Sequence, residues 1–213
     1  MLLALLTAVY VVCAFALTAF ALGTTVLLIA YLRYRNEVVT PLQLHNFPTV
    51  AVQLPIYNEL FVVERLLQAV AALDYPRDRL WIQILDDSTD STTELVARTV
   101  AALQQQGVNI AHVRRPNREG YKAGALAYGM TLLNVEYIAV LDADFVPQPD
   151  FLQRTIAFLV SNPKIGMVQT RWGHLNPDDN ALTKGQALAL DGHFVVEQTA
   201  RSRAGLLMNF NGS

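Results

Sequence analysis

From Leu2 to Leu32 the chain carries no charged side chain, and this run (LLALLTAVYVVCAFALTAFALGTTVLLIAYL) constrains the molecule more than any other feature. It exceeds the roughly 20 residues that a helix needs to cross a hydrocarbon core of about 30 Å, and it can span with some tilt. A helix apolar on every side needs neighbours all around it to serve as a core element, and this chain offers few. A cleavable signal peptide is the rival reading. It fits poorly, because no basic region precedes Leu2 and the run far exceeds the usual apolar stretch of about 7–15 residues. Residues 1–35 are therefore expected to form a retained, single-pass membrane anchor. Arg33 and Arg35 follow the run and no Lys or Arg precedes it, so the positive-inside rule puts everything after it in the cytoplasm, at a cell inner membrane or plasma membrane. Tyr10, Tyr31 and Tyr34 lie toward the ends of the run as interfacial anchors. Cys13, the only cysteine, falls inside it as a small apolar residue, which excludes a disulfide scaffold.

Every Lys, Arg, Asp and Glu lies from Arg33 onward, 16 basic against 18 acidic for a net charge of −2, so the remainder is neither a disordered tail nor a basic nucleic-acid binder. Residues 36–48, polar and punctuated by Pro41 and Pro48, read as a linker. Beyond it, strand and helix patterns alternate. Strands are expected at 49–55, 81–85, 108–113, 137–145 and 165–170. Helices are expected from Glu59 (capped by Asn58) to Leu73, over 91–106 and 122–133, from Pro149-Asp150 to about 160, and over 181–200. This order gives an α/β fold with a mainly parallel sheet and helices on both faces. Ligands bind such sheets outside the carboxyl ends of the strands. The clusters Tyr57-Asn58-Glu59, Asp86-Asp87-Ser88, Arg114-Arg115 and Asp142-Ala143-Asp144 each follow a strand directly, so they are expected to converge on one rim.

Asp142 and Asp144 stand one residue apart at the end of an apolar strand, where two carboxylates can hold a hard cation such as Mg²⁺ whose other ligands are water and phosphate oxygens. The plainer alternative is that they cap the following loop; the strand context and the second acidic cluster favour the metal. Asp86-Asp87 with Ser88 can accept hydrogen bonds from a ribose or base, and exceeds what capping the helix near Ser91 requires. Arg118 and Lys122 lie at a loop-to-helix junction suited to phosphate oxygens, against the alternative of a solvated basic loop. Gly120 and Gly124 lack the spacing of a dinucleotide fingerprint. His193 and Glu197, four apart, read as a polar pair on one helix face, and Trp172 in QTRW offers a stacking surface.

Taken in order, QLPIYNE (53–59), LDDSTD (85–90), NREGYKAGAL (117–126) and LDADF (141–145) resemble the inverting family 2 glycosyltransferases with the GT-A fold. The stretches QTRWGHLN (169–176), LDGHFVVEQ (190–198) and NFNG (209–212) are similar to the cellulose-synthase-like mannan and glucomannan synthases. The resemblance covers residues 49–213 as the catalytic domain. It implies a nucleotide-diphosphate sugar of the UDP-glucose or GDP-mannose type whose base and ribose meet Tyr57, Glu59 and Asp87. It further places Lys122 and Asp142 near the diphosphate, and Mg²⁺ or Mn²⁺ on Asp142 and Asp144. The implied reaction is displacement at the anomeric carbon with inversion, extending a β-glycan in polysaccharide biosynthesis; a glycolipid or polyprenyl-phosphate acceptor is the alternative. The family's general base belongs to a motif downstream of the Asn-Gly segment, so it is expected beyond Ser213, the domain is expected to be cut at its C-terminal end, and this chain alone is expected to be inactive. Two other readings stand beside this one. YIAVLDADFV fits a haloacid-dehalogenase-like phosphohydrolase with Asp142 as nucleophile and Asp144 as acid/base, although three strands precede a motif that family places on its first. A non-catalytic nucleotide-sugar-binding fragment is the other.

Overall fold

A computed structural model describes residues 1–37, 40, 43–174 and 176–208. The NFNG stretch at 209–212 and parts of the expected linker lie outside the described residues. The chain divides into two compact units, one of Pro41–Val168 and one of Met1–Thr40 with Gln169–Gly212.

The first unit is built on four parallel strands: β1 (Val50–Ile56), β2 (Leu80–Asp86), β3 (Ile110–Val113) and β4 (Tyr137–Val140), in the order β3-β2-β1-β4. Helix α2 (Val63–Ala71) places Val63, Leu66, Leu67 and Val70 at helical spacing, and all four are fully buried. They meet Val50, Val52, Leu54 and Ile56 of β1, with Val96, Val100 and Leu103 of α3 (Thr92–Gln105) and Leu152 and Ile156 of α5 (Phe151–Ser161) completing the core. Burying an aliphatic side chain of this size contributes about 1.5–3 kcal/mol.

The opposite face is more polar. Gln53 and Gln83, register partners on β1 and β2, are both buried, and Gln53 Nε2 donates to Gln83 Oε1 at 2.9 Å. Gln83 Nε2 in turn donates to the Gly129 carbonyl of α4 (Tyr121–Met130) at 3.2 Å. A Cβ at position 129 would press on both amides, so any larger residue there would have to displace this buried pair for α4 to close on the sheet.

Several expectations change. Helix α2 begins at Val63 rather than Glu59, because Asn58 is left-handed (φ 58°) and its side chain bonds Thr89 instead of capping a turn. Strand β4 ends at Val140, not 145. Leu141 N–H still reaches Gln53 O (3.2 Å), after which Phe145 N–H closes a turn onto Asp142 O (3.1 Å) and carries both carboxylates off the sheet. The early end of β4 explains how Pro55 survives in a central strand: residues two apart face the same neighbour, so Pro55 turns its donorless nitrogen to the side where β4 has already stopped. Residues 165–170 form no strand. The pattern is there, but among the described residues no sheet edge pairs with it, and Met167 is exposed.

In the second unit, α1 (Leu2–Tyr34) is long and apolar enough to cross a membrane, by length and composition. It packs against the π-helical segment Gly192–Gln198 and α7 (Thr199–Arg203), and Leu27, Ala30, Tyr31 and Tyr34, a helical stripe on its last turns, are half-buried. The helix expected over 181–200 is present as α6 (Ala181–Asp191), the π-helical Gly192–Gln198 and α7 (Thr199–Arg203). Asn180 opens it with a capping box, Oδ1 accepting from the N–H groups of Leu182 and Thr183. The pairing of His193 Nδ1 with Glu197 Oε2 (3.1 Å) fits the polar-face reading, and Arg201 Nε adds a bond to Glu197 Oε1 (2.9 Å). The Trp172 ring packs at a 43° tilt against this segment's own Phe194, ring centroids 5.4 Å apart.

Candidate active site

Beyond the carboxyl ends of β1, β2 and β4 lies a cavity of about 350 Å³, within the size range of small-molecule sites. Tyr57, Glu59, Asp87, Lys122, Asp142 and Asp144, the six positions singled out from the sequence, all line it, together with Arg118. Tyr57 and Glu59 come from the loop after β1, Asp87 from the residue after β2, Lys122 from the first turn of α4, and the two aspartates from the turn after β4.

The carboxylates differ in their surroundings. Asp87 is side-chain buried and gripped by Arg115, whose Nε donates to Oδ1 (2.8 Å) and Nη2 to Oδ2 (2.6 Å). The same guanidinium donates from Nη1 to Glu119 O (2.6 Å) and from Nη2 to Tyr121 O (2.8 Å). One planar fork thus fixes the orientation of Asp87 and folds the 115–121 loop against it. Lys122 Nζ donates to Asp142 Oδ1 at 2.5 Å. Burial, then the neighbouring charges of Asp144 and Asp142, push the Glu59 carboxyl up from its ordinary value. Negative charge at this end of the cavity therefore exceeds what Lys122 balances. Two oxygen-only carboxylates on a turn, with a third close enough to be repelled by them, suit a hard divalent cation. Among the described residues no group of three His, Cys, Asp or Glu gathers closely enough to hold a metal by itself.

At the other end, the Arg118 guanidinium lies 3.3 Å from the Tyr57 ring centroid and 5.2 Å from that of Tyr121, with its Nε 3.9 Å from Asp87 Oδ2. Stacked cation, aromatic face and carboxylate acceptor together form a surface for a flat, polar ring. Helix α4 starts beside it after Gly120, its left-handed N-cap residue (φ 68°). Gly124 is required one turn on, because a Cβ there would run into the Glu119 carbonyl and lie 2.7 Å from Arg115 Nη1.

Arg115, expected at the rim with Arg114 because both directly follow a strand, is given no role by the sequence, and the two arginines go different ways: Arg114 Nη2 donates to Ser88 O (2.9 Å) while Arg115 takes Asp87.

A family model for glycosyl transferase family 2 matches residues 51–199, from the first strand through the π-helical segment. The chain belongs to glycosyl transferase family 2. This family 2 chain is 45% identical over 172 residues to glucomannan 4-beta-mannosyltransferase 2 of Arabidopsis thaliana, a match covering 79% of the chain and 32% of that protein. It is 46% identical over 171 residues to glucomannan 4-beta-mannosyltransferase 1 of Oryza sativa subsp. japonica, covering 78% and 33%. The chain thus spans about a third of the length of the curated relatives it matches. Among solved structures it is similar to the mannosyltransferase PcManGT from Pyrobaculum calidifontis in complex with GDP-Man and Mn²⁺, with 30% identity and a TM-score of 0.61 over 74% of this chain and 47% of that one. The parallel sheet with its flanking helices is accordingly the GT-A fold. The haloacid-dehalogenase-like alternative falls with this assignment.

Proposed function

We propose that this family 2 glycosyltransferase moves a hexosyl unit, of the GDP-mannose or UDP-glucose type, from a nucleotide diphosphate to a growing β-glycan with inversion at the anomeric carbon. The observation that carries the reading is the convergence of Tyr57, Glu59, Asp87, Lys122, Asp142 and Asp144 on one cavity at the carboxyl rim of the sheet. The mannosyl transfer named for the plant relatives, and the GDP-Man and Mn²⁺ named for the archaeal structure, support the sugar, nucleotide and metal classes.

In this reading Tyr57 presents its ring face to the base, while Asp87, held by Arg115, and Glu59 accept hydrogen bonds from base and ribose. Lys122 carries a positive charge to the diphosphate and balances it as the glycosidic oxygen departs. Asp142 and Asp144 hold Mg²⁺ or Mn²⁺, which supplies further charge stabilisation for the leaving nucleoside diphosphate. The acceptor hydroxyl needs a base to take its proton, and none of the six residues is given that part. Helix α1 anchors the chain in the membrane by a single pass, with Arg33 and Arg35 keeping the catalytic unit on the cytoplasmic side, where nucleotide sugars are available.

Titration calorimetry on the full chain in mild detergent tests the site. GDP or UDP is expected to bind only in the presence of Mn²⁺ or Mg²⁺, and Asp144→Ala is expected to abolish that dependence. A folded chain that binds neither nucleotide with metal present refutes the reading.

A further inference from the structure

Among the described residues Asn58 and Tyr121 are the two non-glycine residues with positive φ, at 58° and 49°. Left-handed backbone is strained for an L-residue and persists only where its surroundings over-determine it. Asn58 lies between Tyr57 and Glu59, the two residues that the loop after β1 sends into the cavity. What holds it there is a chain of hydrogen bonds that crosses three strands.

The Asn58 N–H donates to Ser88 Oγ at 2.9 Å, and Asn58 Oδ1 accepts from the Thr89 N–H at 2.9 Å. Ser88, fully buried, donates its own N–H to Asp86 Oδ1 at 2.8 Å, and its carbonyl accepts from Arg114 Nη2. Asp86 is buried, and its second oxygen accepts from His112 Nε2–H of β3 at 2.8 Å. None of Asp86, Ser88 and His112 lines the cavity, so the first aspartate of the Asp-Asp pair faces inward to its neighbours while the second faces the cavity.

We propose that Asp86 and Ser88, with His112 bracing Asp86, are positioning residues that lock the Tyr57–Glu59 turn in its left-handed form. They thereby set the tyrosine ring and the glutamate carboxylate for the nucleotide. The part played by the nucleotide rests on the functional reading above; the locking of the turn does not. Without Ser88 Oγ the Asn58 amide loses its partner, and the strained residue relaxes toward the right-handed or extended region. That rotation moves the peptides on both sides of it, and Tyr57 and Glu59 leave their shared cavity. Without an N–H donor at position 112, the buried Asp86 carboxylate keeps its bonds from Ser88 and Thr93 but loses its tie to β3, and it holds Ser88 less firmly. Glutamine at 112 keeps an amide N–H at nearly the reach of His Nε2 and is expected to restore the bond.

The test uses the full chain in mild detergent, with hydrogen exchange followed by mass spectrometry over residues 57–59 and with GDP and UDP titrations in Mn²⁺ well below the thermal midpoint. Ser88→Ala and His112→Ala are expected to speed exchange at 57–59 and to weaken nucleotide binding about tenfold, the effect of roughly one hydrogen bond on an equilibrium constant. His112→Gln is expected to return both readings to within about twofold of the parent protein, a smaller difference than one hydrogen bond makes. A merely structural role would lower the thermal midpoint, leave the affinity of the folded protein unmoved and not distinguish Gln from Ala in binding. Unchanged exchange at 57–59 in Ser88→Ala overturns the proposal whether or not nucleotide binds. Faster exchange with undiminished affinity overturns the positioning role. If the parent protein binds neither nucleotide, the functional reading fails, and the locked turn is then upheld by faster exchange or refuted by unchanged exchange.

Discussion

Arg115→Lys is the substitution that most directly separates charge from geometry at this site. The guanidinium makes two bonds to Asp87, at 2.8 and 2.6 Å, and two to the carbonyls of Glu119 and Tyr121, at 2.6 and 2.8 Å, between side chains that are 8% and 9% exposed. An ammonium keeps the charge but cannot present a planar fork to a carboxylate while reaching two carbonyls on its other edge. Losing about two of the four bonds, at a net contribution of roughly 1–1.5 kcal/mol each, predicts a destabilisation of about 2–3 kcal/mol. Arg115→Ala goes further, leaving the Asp87 carboxylate with only the more distant Arg118, Nε at 3.9 Å, at a cost of about 3–5 kcal/mol. For a chain of this size each kcal/mol lowers the thermal midpoint by roughly 2–4 °C, so Arg115→Lys should melt about 4–12 °C early by near-ultraviolet circular dichroism. The decisive measurement is the double-mutant cycle with Asp87→Ala. If the pair is the unit described, removing both partners costs less than the sum of the single losses, with a coupling of at least about 1.5 kcal/mol. Arg115→Lys within about 0.5 kcal/mol of the parent protein, the ordinary range for a surface substitution, or a cycle with no coupling, would refute the reasoning.

Other expectations follow from single contacts. Gly124→Ala drives a methyl group into the Glu119 backbone and toward Arg115 Nη1, so it should cost about 1–3 kcal/mol and weaken nucleotide binding, read by the same melts and titrations. Burial pushes the Asp86 carboxyl up, but the hydrogen bonds from His112 and Ser88 outweigh it and hold the group at about 2, against 3.8 when exposed. Because the folded value is the lower one, Asp86 stabilises the fold above the exposed value, by an amount of the order of 2 kcal/mol, and this is lost as pH falls from about 4 toward 2. Urea midpoints taken at several pH values should show that loss in the parent protein and a flatter profile in Asp86→Asn. If α1 anchors the chain as proposed, the parent protein should resist extraction by alkaline carbonate, and Leu17→Arg, near the middle of α1, should raise the cost of insertion by roughly 2.5–3.5 kcal/mol and make the chain extractable.

What the sequence revealed, and what it concealed, follow from one distinction. A residue directly after an apolar strand run must come out at the carboxyl rim, because the strand fixes its exit. Tyr57, Asp87 and the Asp142/Asp144 pair were legible for that reason, and Lys122 because it opens a helix after such an exit. Strand length was less legible, since it depends on a partner: β4 stops at Val140, and residues 165–170 with their strand-like pattern pair with no edge among the described residues.

Orientation was hidden for a stronger reason. Asn58 was expected to cap a helix, a local role, but its amide is held by Ser88, thirty positions away. Arg114 and Arg115 look alike in sequence, yet one clasps the Ser88 carbonyl and the other the Asp87 carboxylate, twenty-eight positions away. Both contacts exist only because β1, β2 and β3 lie in register side by side, so that the loop at the end of each can bond the loop of the next. The motif therefore specifies which side chains arrive at the cavity, and the crosslinks between neighbouring loops specify which way they point. A substitution in those crosslinks, at residues that never touch the cavity, is for this reason expected to alter the cavity's side-chain arrangement as surely as one in the motif itself.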